Sequence, residues 1–264
     1  MYCGYVKELG SDYNMILTID IGNSNTVLVG YDHDKNRVLV HRILTFKKHT
    51  KTLLSEVFTG IHHEIEDVII SCVVPRIQDE IVEAVESTFN LTPILINGKT
   101  IDKMEINIKR PHELGADLIS TSVGAAAKYD APVIVADIGS ATKLTLTNID
   151  NVYEGGIILP GLGSSLQSMI DMIPHLPTVD LSLPDSVVGK DTISAIQSGM
   201  LYGVVSQIEG LANRMELELG KPCKRVLTGG YTVIFKHLLS EFRYEPYLVN
   251  DGLVEIYLKD MYKK

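Results

Sequence analysis

The sequence has few of the features that are typical of secreted proteins, membrane-spanning proteins or proteins stabilised by a structural metal site. Its three cysteines, Cys3, Cys72 and Cys223, are odd in number and far apart, and they form no C-x-x-C pair. They fit buried thiols in a reducing cytoplasm better than a disulfide framework or a zinc site. No apolar run approaches the length of a transmembrane helix, and the N-terminus lacks the basic and apolar segments of a secretion signal. We therefore expect a cytoplasmic protein.

Positive charge is also in short supply. The 24 Lys and Arg residues face 33 Asp and Glu residues, which gives a formal net charge of -9. An acidic surface attracts neither nucleic acid nor an anionic membrane, so neither is expected as a partner. Proline and glycine are not in excess, and apolar residues make up 45% of the 264 residues. This composition predicts a globular chain with one large domain or two of ordinary size.

The most informative pattern in the sequence lies between Leu17 and Asp32. An apolar run at 15–19 predicts a buried strand, and Asp20 follows where that strand should end. Gly22 permits a tight turn, because glycine tolerates backbone angles that other residues avoid. A second strand begins at Val27. The pattern predicts a hairpin whose tip offers a carboxylate for a metal and donors for phosphate; the donor residues are Asn23, Ser24, Asn25 and Thr26.

The same strand–turn–strand pattern occurs again from Val133 to Thr145. Asp137 and Gly139 correspond there to Asp20 and Gly22. A single D-x-G is more often an ordinary turn than a ligand site. Its repetition between matching strands favours a duplicated phosphate-binding hairpin. Two copies predict two related halves, each of which presents a carboxylate at a shared cleft.

Other segments are less specific. The order of predicted elements from 15 to 96 is β-β-β-α-β-α-β. A helix is predicted from Glu113 to Tyr129, where the pattern alone interprets Asp117 as a solvated carboxylate on a polar face. Gly-Lys-Thr at 98–100 is interpreted as a plain turn, because a P-loop needs glycine at the position of Pro93.

Eight blocks of sequence resemble the type III pantothenate kinases, and the paired hairpins resemble the wider actin/hexokinase/Hsp70 class of ATP-handling folds. The blocks are D-I-G-N-S-N at 20–25, S-C-V-V-P at 71–75, R-P-H-E-L-G-A-D at 110–117, D-I-G-S-A-T at 137–142, G-G-I-I-L-P-G-L at 155–162, T-I-S-A-I-Q-S-G-M-L-Y-G at 192–203, T-G-G at 228–230 and D-G-L at 251–253. Their order and spacing make the resemblance specific over nearly all of residues 15–257.

The resemblance implies an α/β fold of duplicated ribonuclease H-like (actin-like) halves, each a mixed five-stranded sheet flanked by helices. Residues 1–14 are then an extension or tag remnant. Residues 15–111 form the N-terminal half, and residues 112–264 form the C-terminal half, which carries the dimer helix.

The resemblance also implies a function: a homodimer that uses ATP to phosphorylate pantothenate, the first step of coenzyme A biosynthesis. Asp117 matches the family's general base. The matching substrate contacts are Gly115, Ala116, Asp117 and Thr192, the last of which comes from the partner subunit. Asp20 matches the residue that engages Mg²⁺, and Gly22, Asn23, Ser24, Asn25 and Thr26 match the phosphate loop. Ser140 matches a nucleotide-binding hydroxyl, and Asp137 matches the ligand of a monovalent cation, K⁺ or NH₄⁺.

Four positions depart from the family pattern. Leu118 replaces an Arg and Ile108 replaces a Tyr in the acceptor pocket, while Lys143 and Thr145 replace a Thr and an Asp of the second hairpin. The Lys143 ammonium is therefore a candidate substitute for the monovalent cation. Two alternatives to pantothenate kinase activity stay open: a kinase for another small hydroxylated acceptor, and a non-catalytic nucleotide-binding paralogue.

Overall fold

A computed structural model describes residues 14–173 and 175–263. The expected extension at 1–14 therefore lies outside the described residues except for Asn14, and so does Cys3. No helix in the described ranges is long and apolar enough to cross a membrane. The remaining cysteines, Cys72 and Cys223, are half-buried thiols.

The first sheet is built from five strands in the order β3-β2-β1-β4-β5. Strand β1 pairs antiparallel with β2 and parallel with β4. It is apolar and buried on both faces, as a central strand requires. The elements are β1 (Met15–Ile21), β2 (Asn25–Tyr31), β3 (Arg37–Leu44), α1 (Thr50–Thr59), β4 (Ile65–Cys72), a 3-10 turn (Pro75–Ile77), α2 (Gln78–Phe89) and β5 (Ile94–Ile96).

The second sheet repeats this design in the order β10-β9-β6-β7-β8. Strand β6 pairs antiparallel with β7 and parallel with β9, as β1 does with β2 and β4. The elements are β6 (Val133–Ile138), β7 (Ala141–Thr147), β8 (Tyr153–Pro160), α4 (Leu162–Met172), α5 (Thr192–Leu219), β9 (Lys224–Thr228), α6 (Thr232–Phe235) and β10 (Arg243–Tyr244). The predicted fold of two duplicated, mixed five-stranded α/β halves is therefore confirmed.

The strand registers put the two aspartates in equivalent places. Asp20 lies in β1 opposite Val27 of β2 and Ser71 of β4. Asp137 lies in β6 opposite Lys143 of β7, with Thr228 of β9 on its other side. Each aspartate is thus the last but one residue of the first strand of its half.

The chain forms two compact units, and these differ from the division expected at residue 111. Among the described residues, unit 1 contains residues 14–104, 109–127 and 248–263, and unit 2 contains residues 105–108, 128–173 and 175–247. Most of α3 (Ala116–Tyr129) and all of α7 (Leu248–Leu258) therefore belong to the first unit, although they follow residue 111 in the chain. Helix α7 packs against strands β1, β4 and β2 of the first sheet, and α3 packs on α7 through glycine, as described below.

Candidate active site

The tip of the β1–β2 hairpin is a tight turn with exposed polar side chains. The Gly22 N–H donates to the Asn25 carbonyl oxygen at 3.0 Å, which closes the turn. Asn23 and Ser24 at the tip are exposed, and Asn25 is half-buried. Such a turn presents backbone N–H groups and small polar side chains to solvent, the arrangement that suits a phosphate.

Thr45, which directly follows β3, braces this tip. Its hydroxyl donates to the Gly22 carbonyl oxygen at 2.7 Å, and its N–H donates to the Ser24 carbonyl oxygen at 3.1 Å. The Thr26 hydroxyl lies 3.1 Å from the Thr45 hydroxyl, and Thr26 is buried. The Thr26 side chain therefore supports the loop from inside, whereas residues 23 and 24 face outward. The sequence contained no signal for Thr45.

Asp20 is half-buried just before the tip, and its surroundings suit a hard cation. The Ser71 hydroxyl on the neighbouring strand β4 is fully buried, and among the described residues it has no hydrogen-bond partner. A buried hydroxyl without a partner is unusual and is satisfied when a ligand or ordered water reaches it. Mg²⁺ is held in kinases by one or two carboxylates together with water and substrate phosphates. The donor set at this strand end fits that ion.

Cys72 follows Ser71 and stays a neutral thiol. Burial raises its pKa, and the nearby Asp20 carboxylate raises it further. Its S–H points to the Val74 carbonyl oxygen at 3.5 Å. The thiol is therefore a packing group at this strand end, because only a thiolate is an effective nucleophile.

Asp117 lies in the first turn of α3 and is half-buried. Its Oδ1 accepts the Leu118 N–H at 2.9 Å, and a Cβ built on Gly115 would approach that oxygen to 2.7 Å. Gly115 thus keeps space beside the carboxylate. The neighbouring Ala116 is buried. Thr121 and Gly124, which follow Asp117 at helical spacing on the same face of α3, are buried as well, so this face is packed and not solvated.

Helix α7 connects the Asp20 hairpin to the Asp117 helix within unit 1. The buried Asn250 amide donates to the Thr18 hydroxyl at 2.9 Å and to the Val27 carbonyl oxygen at 3.2 Å, which ties α7 to both strands of the hairpin. On the same helix, a Cβ built on Gly252 would overlap the backbone of Ser120 in α3. The sequence comparison singled out D-G-L at 251–253 without assigning a role, and these contacts supply one.

Asp251 fixes α7 at a second place on the hairpin. It accepts the Tyr31 hydroxyl at 2.6 Å and the Arg37 Nε at 3.0 Å. Burial, and after it the Asp251 carboxylate, raise the pKa of Tyr31 well above its ordinary value, so the phenol remains a donor. Lys35 pairs with Glu255 one turn further along α7.

The β6–β7 hairpin of unit 2 has a shorter turn, in which a glycine N–H again makes a hydrogen bond across the turn. The Gly139 N–H donates to the Ala141 carbonyl oxygen at 3.1 Å, and Ser140 is exposed at the tip. Gly161, which follows the third strand of this half as Thr45 follows the third strand of the other, packs so closely on Ser140 that a Cβ would overlap its carbonyl group. The glycine in L-P-G-L is therefore required by a close approach of two backbones.

Asp137 differs from Asp20 in its charged neighbour. The Lys143 Nζ lies 2.8 Å from Asp137 Oδ2, and the two side chains are only 17% and 16% exposed. The other carboxylate oxygen lies above two glycines: a Cβ on Gly139 would be 3.3 Å from Oδ1, and one on Gly229 would overlap it. The negative charge of Asp137 is therefore already matched by a cation of the chain itself, which leaves little charge for a monovalent ion to neutralise.

The other predicted contact residues lie outside these hairpins. Thr192 is exposed at the start of α5, where Asp191 caps the helix with Ser194 in a capping box. Leu118 is half-buried in α3, next to Asp117. Ile108 is half-buried in unit 2, where its Cγ2 would lie 3.7 Å from a Cβ on Gly155.

Across residues 14–173 and 175–263, no group of three or more His, Cys, Asp or Glu side chains could hold a metal ion. The site therefore contains no metal cage made of protein ligands alone. A cation at Asp20 would have to share its coordination with a bound substrate, as Mg²⁺ does in phosphoryl-transfer enzymes.

Comparison with known sequences identifies the family. The profile of the type III pantothenate kinase family matches residues 16–214. A type III pantothenate kinase from Roseiflexus sp. (strain RS-1) is 37% identical over 254 residues, which cover 92% of this chain and 98% of that protein. One from Exiguobacterium sp. is 36% identical over 253 residues, with coverages of 92% and 98%.

A solved structure supports the fold alone. The activator of the 2-hydroxyisocaproyl-CoA dehydratase from Clostridium difficile, with bound ADPNP, superposes with a TM-score of 0.55 at 12% identity. The match covers 94% of this chain and 95% of that one. With the family match over residues 16–214 and the duplicated sheets, the chain belongs to the type III pantothenate kinase family and has the actin-like ATPase fold.

Proposed function

We propose that this protein transfers the γ-phosphoryl group of ATP to the primary hydroxyl of pantothenate, the first step of coenzyme A biosynthesis. Family membership gives the reaction class. The observation that carries the proposal is that α7 joins the Asp20 hairpin and the Asp117 helix in one compact unit. Phosphoryl transfer consists mostly of positioning and charge neutralisation, so a phosphate loop and a base held by one rigid helix suit it.

The tip of the β1–β2 hairpin would hold the phosphates. Its backbone N–H groups and the exposed Asn23 and Ser24 side chains are the donors, with Asn25 beside them and Thr26 bracing from inside. Asp20 would hold Mg²⁺, which supplies charge neutralisation on the phosphate oxygens when bound. Ser140, exposed at the tip of the second hairpin, is the proposed hydroxyl contact to the nucleotide.

Asp117 is the proposed general base. A carboxylate in this role accepts the proton of the acceptor hydroxyl as that oxygen attacks phosphorus. The absence of a Cβ at Gly115 leaves room next to Asp117 Oδ1 for the substrate. Because the Ala116 side chain is buried, the contact proposed for it would be made by its backbone.

The active form is proposed to be a cytoplasmic homodimer in which Thr192 contacts the substrate bound to the partner subunit. The segment around Thr192 has an apolar exposed surface that a second copy would cover: Val187 is 59% exposed, Val188 65% and Ile193 41%. The molar mass from light scattering tests this: a monomer at assay concentrations that retains full activity would contradict it.

The function is tested by measuring ADP release with and without pantothenate, and by identifying phosphopantothenate through its mass. We expect release that depends on both pantothenate and Mg²⁺. If ADP release were independent of pantothenate, or if the product lacked the added phosphate, the protein would not be a pantothenate kinase.

A second candidate is a kinase for a different small hydroxylated acceptor. It is favoured by the apolar Leu118 beside Asp117 and by the apolar Ile108, because neither side chain can hydrogen-bond an acid such as pantothenate. A screen of hydroxylated acceptors in the same assay distinguishes the two. A protein that binds ATP but releases no ADP with any of the acceptors would be the non-catalytic paralogue.

A further inference from the structure

The charged pair at the second hairpin stands apart from its counterpart in the first half. At equivalent places in the two sheets, Asp20 faces Val27 and Asp137 faces Lys143. Val27 is uncharged, so the residue opposite Asp20 on the neighbouring strand supplies no positive charge. In the second hairpin the chain itself supplies it.

The geometry of this pair is that of a built site. Asp137 and Lys143 are directly opposite each other on antiparallel strands, so their side chains leave the same face of the sheet. Strand β7 lies between β6 and β8, which holds Lys143 from both sides. The ammonium lies 2.8 Å from the carboxylate, and both side chains are mostly buried. Salt ions therefore weaken the attraction within this pair less than they weaken that of an exposed pair.

A mobile cation cannot take the same position. It would have to approach a carboxylate whose Oδ2 already binds the Lys143 ammonium, against the positive charge of that ammonium. Displacing Lys143 instead would leave a mostly buried ammonium without its carboxylate, which is strongly unfavourable. The fixed Lys143 ammonium therefore excludes K⁺ or NH₄⁺ from its own position beside Asp137.

We propose that Lys143 is a built-in cation that takes the place of K⁺ or NH₄⁺ beside Asp137, so that the enzyme works without any monovalent cation. This inference rests on the proposed kinase function where it is tested by activity. Its test by thermal unfolding does not depend on that function. Lys143 is in this view a positioning residue: it acts through Asp137 and does not touch the reacting atoms.

The first measurement is activity against KCl or NH₄Cl concentration, in buffer free of both ions and of Na⁺, with tetramethylammonium chloride keeping the ionic strength constant. We expect the unmodified protein to be fully active without K⁺. Its activity should change less than about twofold when K⁺ is added, because Lys143 already makes the charged contact with Asp137. Lys143→Thr should lose about ten- to a hundredfold of activity without K⁺, the usual effect of removing one charged contact, and K⁺ or NH₄⁺ should restore it.

The second measurement is the thermal unfolding midpoint in the same salts, which needs no activity. A cation that binds only the folded state raises this midpoint. We expect a K⁺-specific rise for Lys143→Thr and none for the unmodified protein. Lys143→Met, which keeps the apolar stem, should behave like Lys143→Thr if the Thr variant folds poorly. Lys224→Thr is the matched control, since Lys224 is an exposed lysine of β9 in the same sheet.

Strong stimulation of the unmodified protein by K⁺, or a K⁺-specific rise in its unfolding midpoint, would overturn the proposal. So would full activity of Lys143→Thr without K⁺, because Asp137 would then need no cation. If the unmodified protein phosphorylates no acceptor, the proposed function fails, and the unfolding measurements still decide the role of Lys143.

Discussion

Gly252 of α7 lies directly on the backbone of Ser120 in α3. A Cβ at Gly252 would overlap the Ser120 carbonyl group. The contact is mutual, because a Cβ at Gly124 of α3 would come within 2.9 Å of the Gly252 nitrogen and of the Leu248 carbonyl oxygen. Two helices therefore meet backbone to backbone, and the position of α3, which carries Asp117, depends on glycine at both places.

Gly252→Ala should consequently destabilise unit 1 and reduce turnover. Forcing a methyl group into a close-packed contact costs about 1–3 kcal/mol, and any relief would come from a shift of α3 that misplaces Asp117. Gly199→Ala is the control: Gly199 is a helical glycine of α5 with nothing within 4 Å of its Cβ position, so alanine should be neutral or stabilising there. Chemical unfolding and kcat measure both effects. If Gly252→Ala kept the unfolding free energy and turnover of the unmodified protein, the packing argument would be wrong.

Asp117→Asn tests the proposed base. The amide keeps the size of the side chain, so the fold and ATP binding should be retained while turnover falls by about two to four orders of magnitude. Asp79→Asn is a matched control, because Asp79 is an exposed aspartate in the first turn of α2 in the same unit. Its turnover should be unchanged. Near-normal kcat in Asp117→Asn would remove Asp117 from the mechanism.

The order of elements and the duplication were predictable from the sequence because they follow from local patterns. Apolar runs gave the strands, and two D-x-G turns between matching strands gave the repeat, which the equal strand orders confirm. The turn at 98–100 was also predicted correctly: the Asn97 side chain accepts the Lys99 N–H at 2.9 Å, and Gly98 packs on the backbone of His112.

Contacts between distant parts of the chain could not be predicted in the same way. Asn250 reaches Thr18 across 232 positions, and nothing in either local pattern indicates the other. The same is true of Thr45 at the hairpin tip. The grouping of α3 and α7 in unit 1 could not be predicted for the same reason, because a boundary drawn along the chain cannot show a helix that returns to the first sheet.

Glu216 should make unit 2 sensitive to acid. Two hydrogen bonds from Arg225, at 3.0 and 2.7 Å, together with one from the Cys223 N–H, hold the pKa of Glu216 below its ordinary value of 4.5. Because the pKa of the folded state is depressed, this stabilisation is complete above that ordinary value and is lost as the pH falls through the lower pKa of the folded state.

The measurement is the unfolding midpoint of Glu216→Gln and of the unmodified protein from pH 7 downward. The variant should be less stable near neutral pH, and the difference should shrink below about pH 4.5, where the unfolded carboxylate becomes protonated. Glu218→Gln, an exposed change on the same helix, should show little difference at any pH. A gap between Glu216→Gln and the unmodified protein that stayed constant down to the acid limit would contradict the assignment.

Two positions expected to contact the acceptor depart from the family pattern. Leu118 and Ile108 are apolar where relatives are expected to have Arg and Tyr, and the structure leaves both half-buried. An Arg contact to a charged group contributes about 1.5–3 kcal/mol, or roughly one to two orders of magnitude in affinity. We therefore expect detectable but poor pantothenate kinase activity, with the defect mainly in KM, because the phosphate loop and Asp117 are retained.

Leu118→Arg combined with Ile108→Tyr should lower the KM for pantothenate by about ten- to a hundredfold and leave the KM for ATP nearly unchanged, since only acceptor contacts are added. Leu118→Met, which conserves volume and stays apolar, should leave both constants as they are. Steady-state kinetics over a wide pantothenate range measure each variant. A low pantothenate KM in the unmodified protein would show that other residues already recognise the carboxylate. An unchanged KM in the double variant would place the acceptor away from these two side chains.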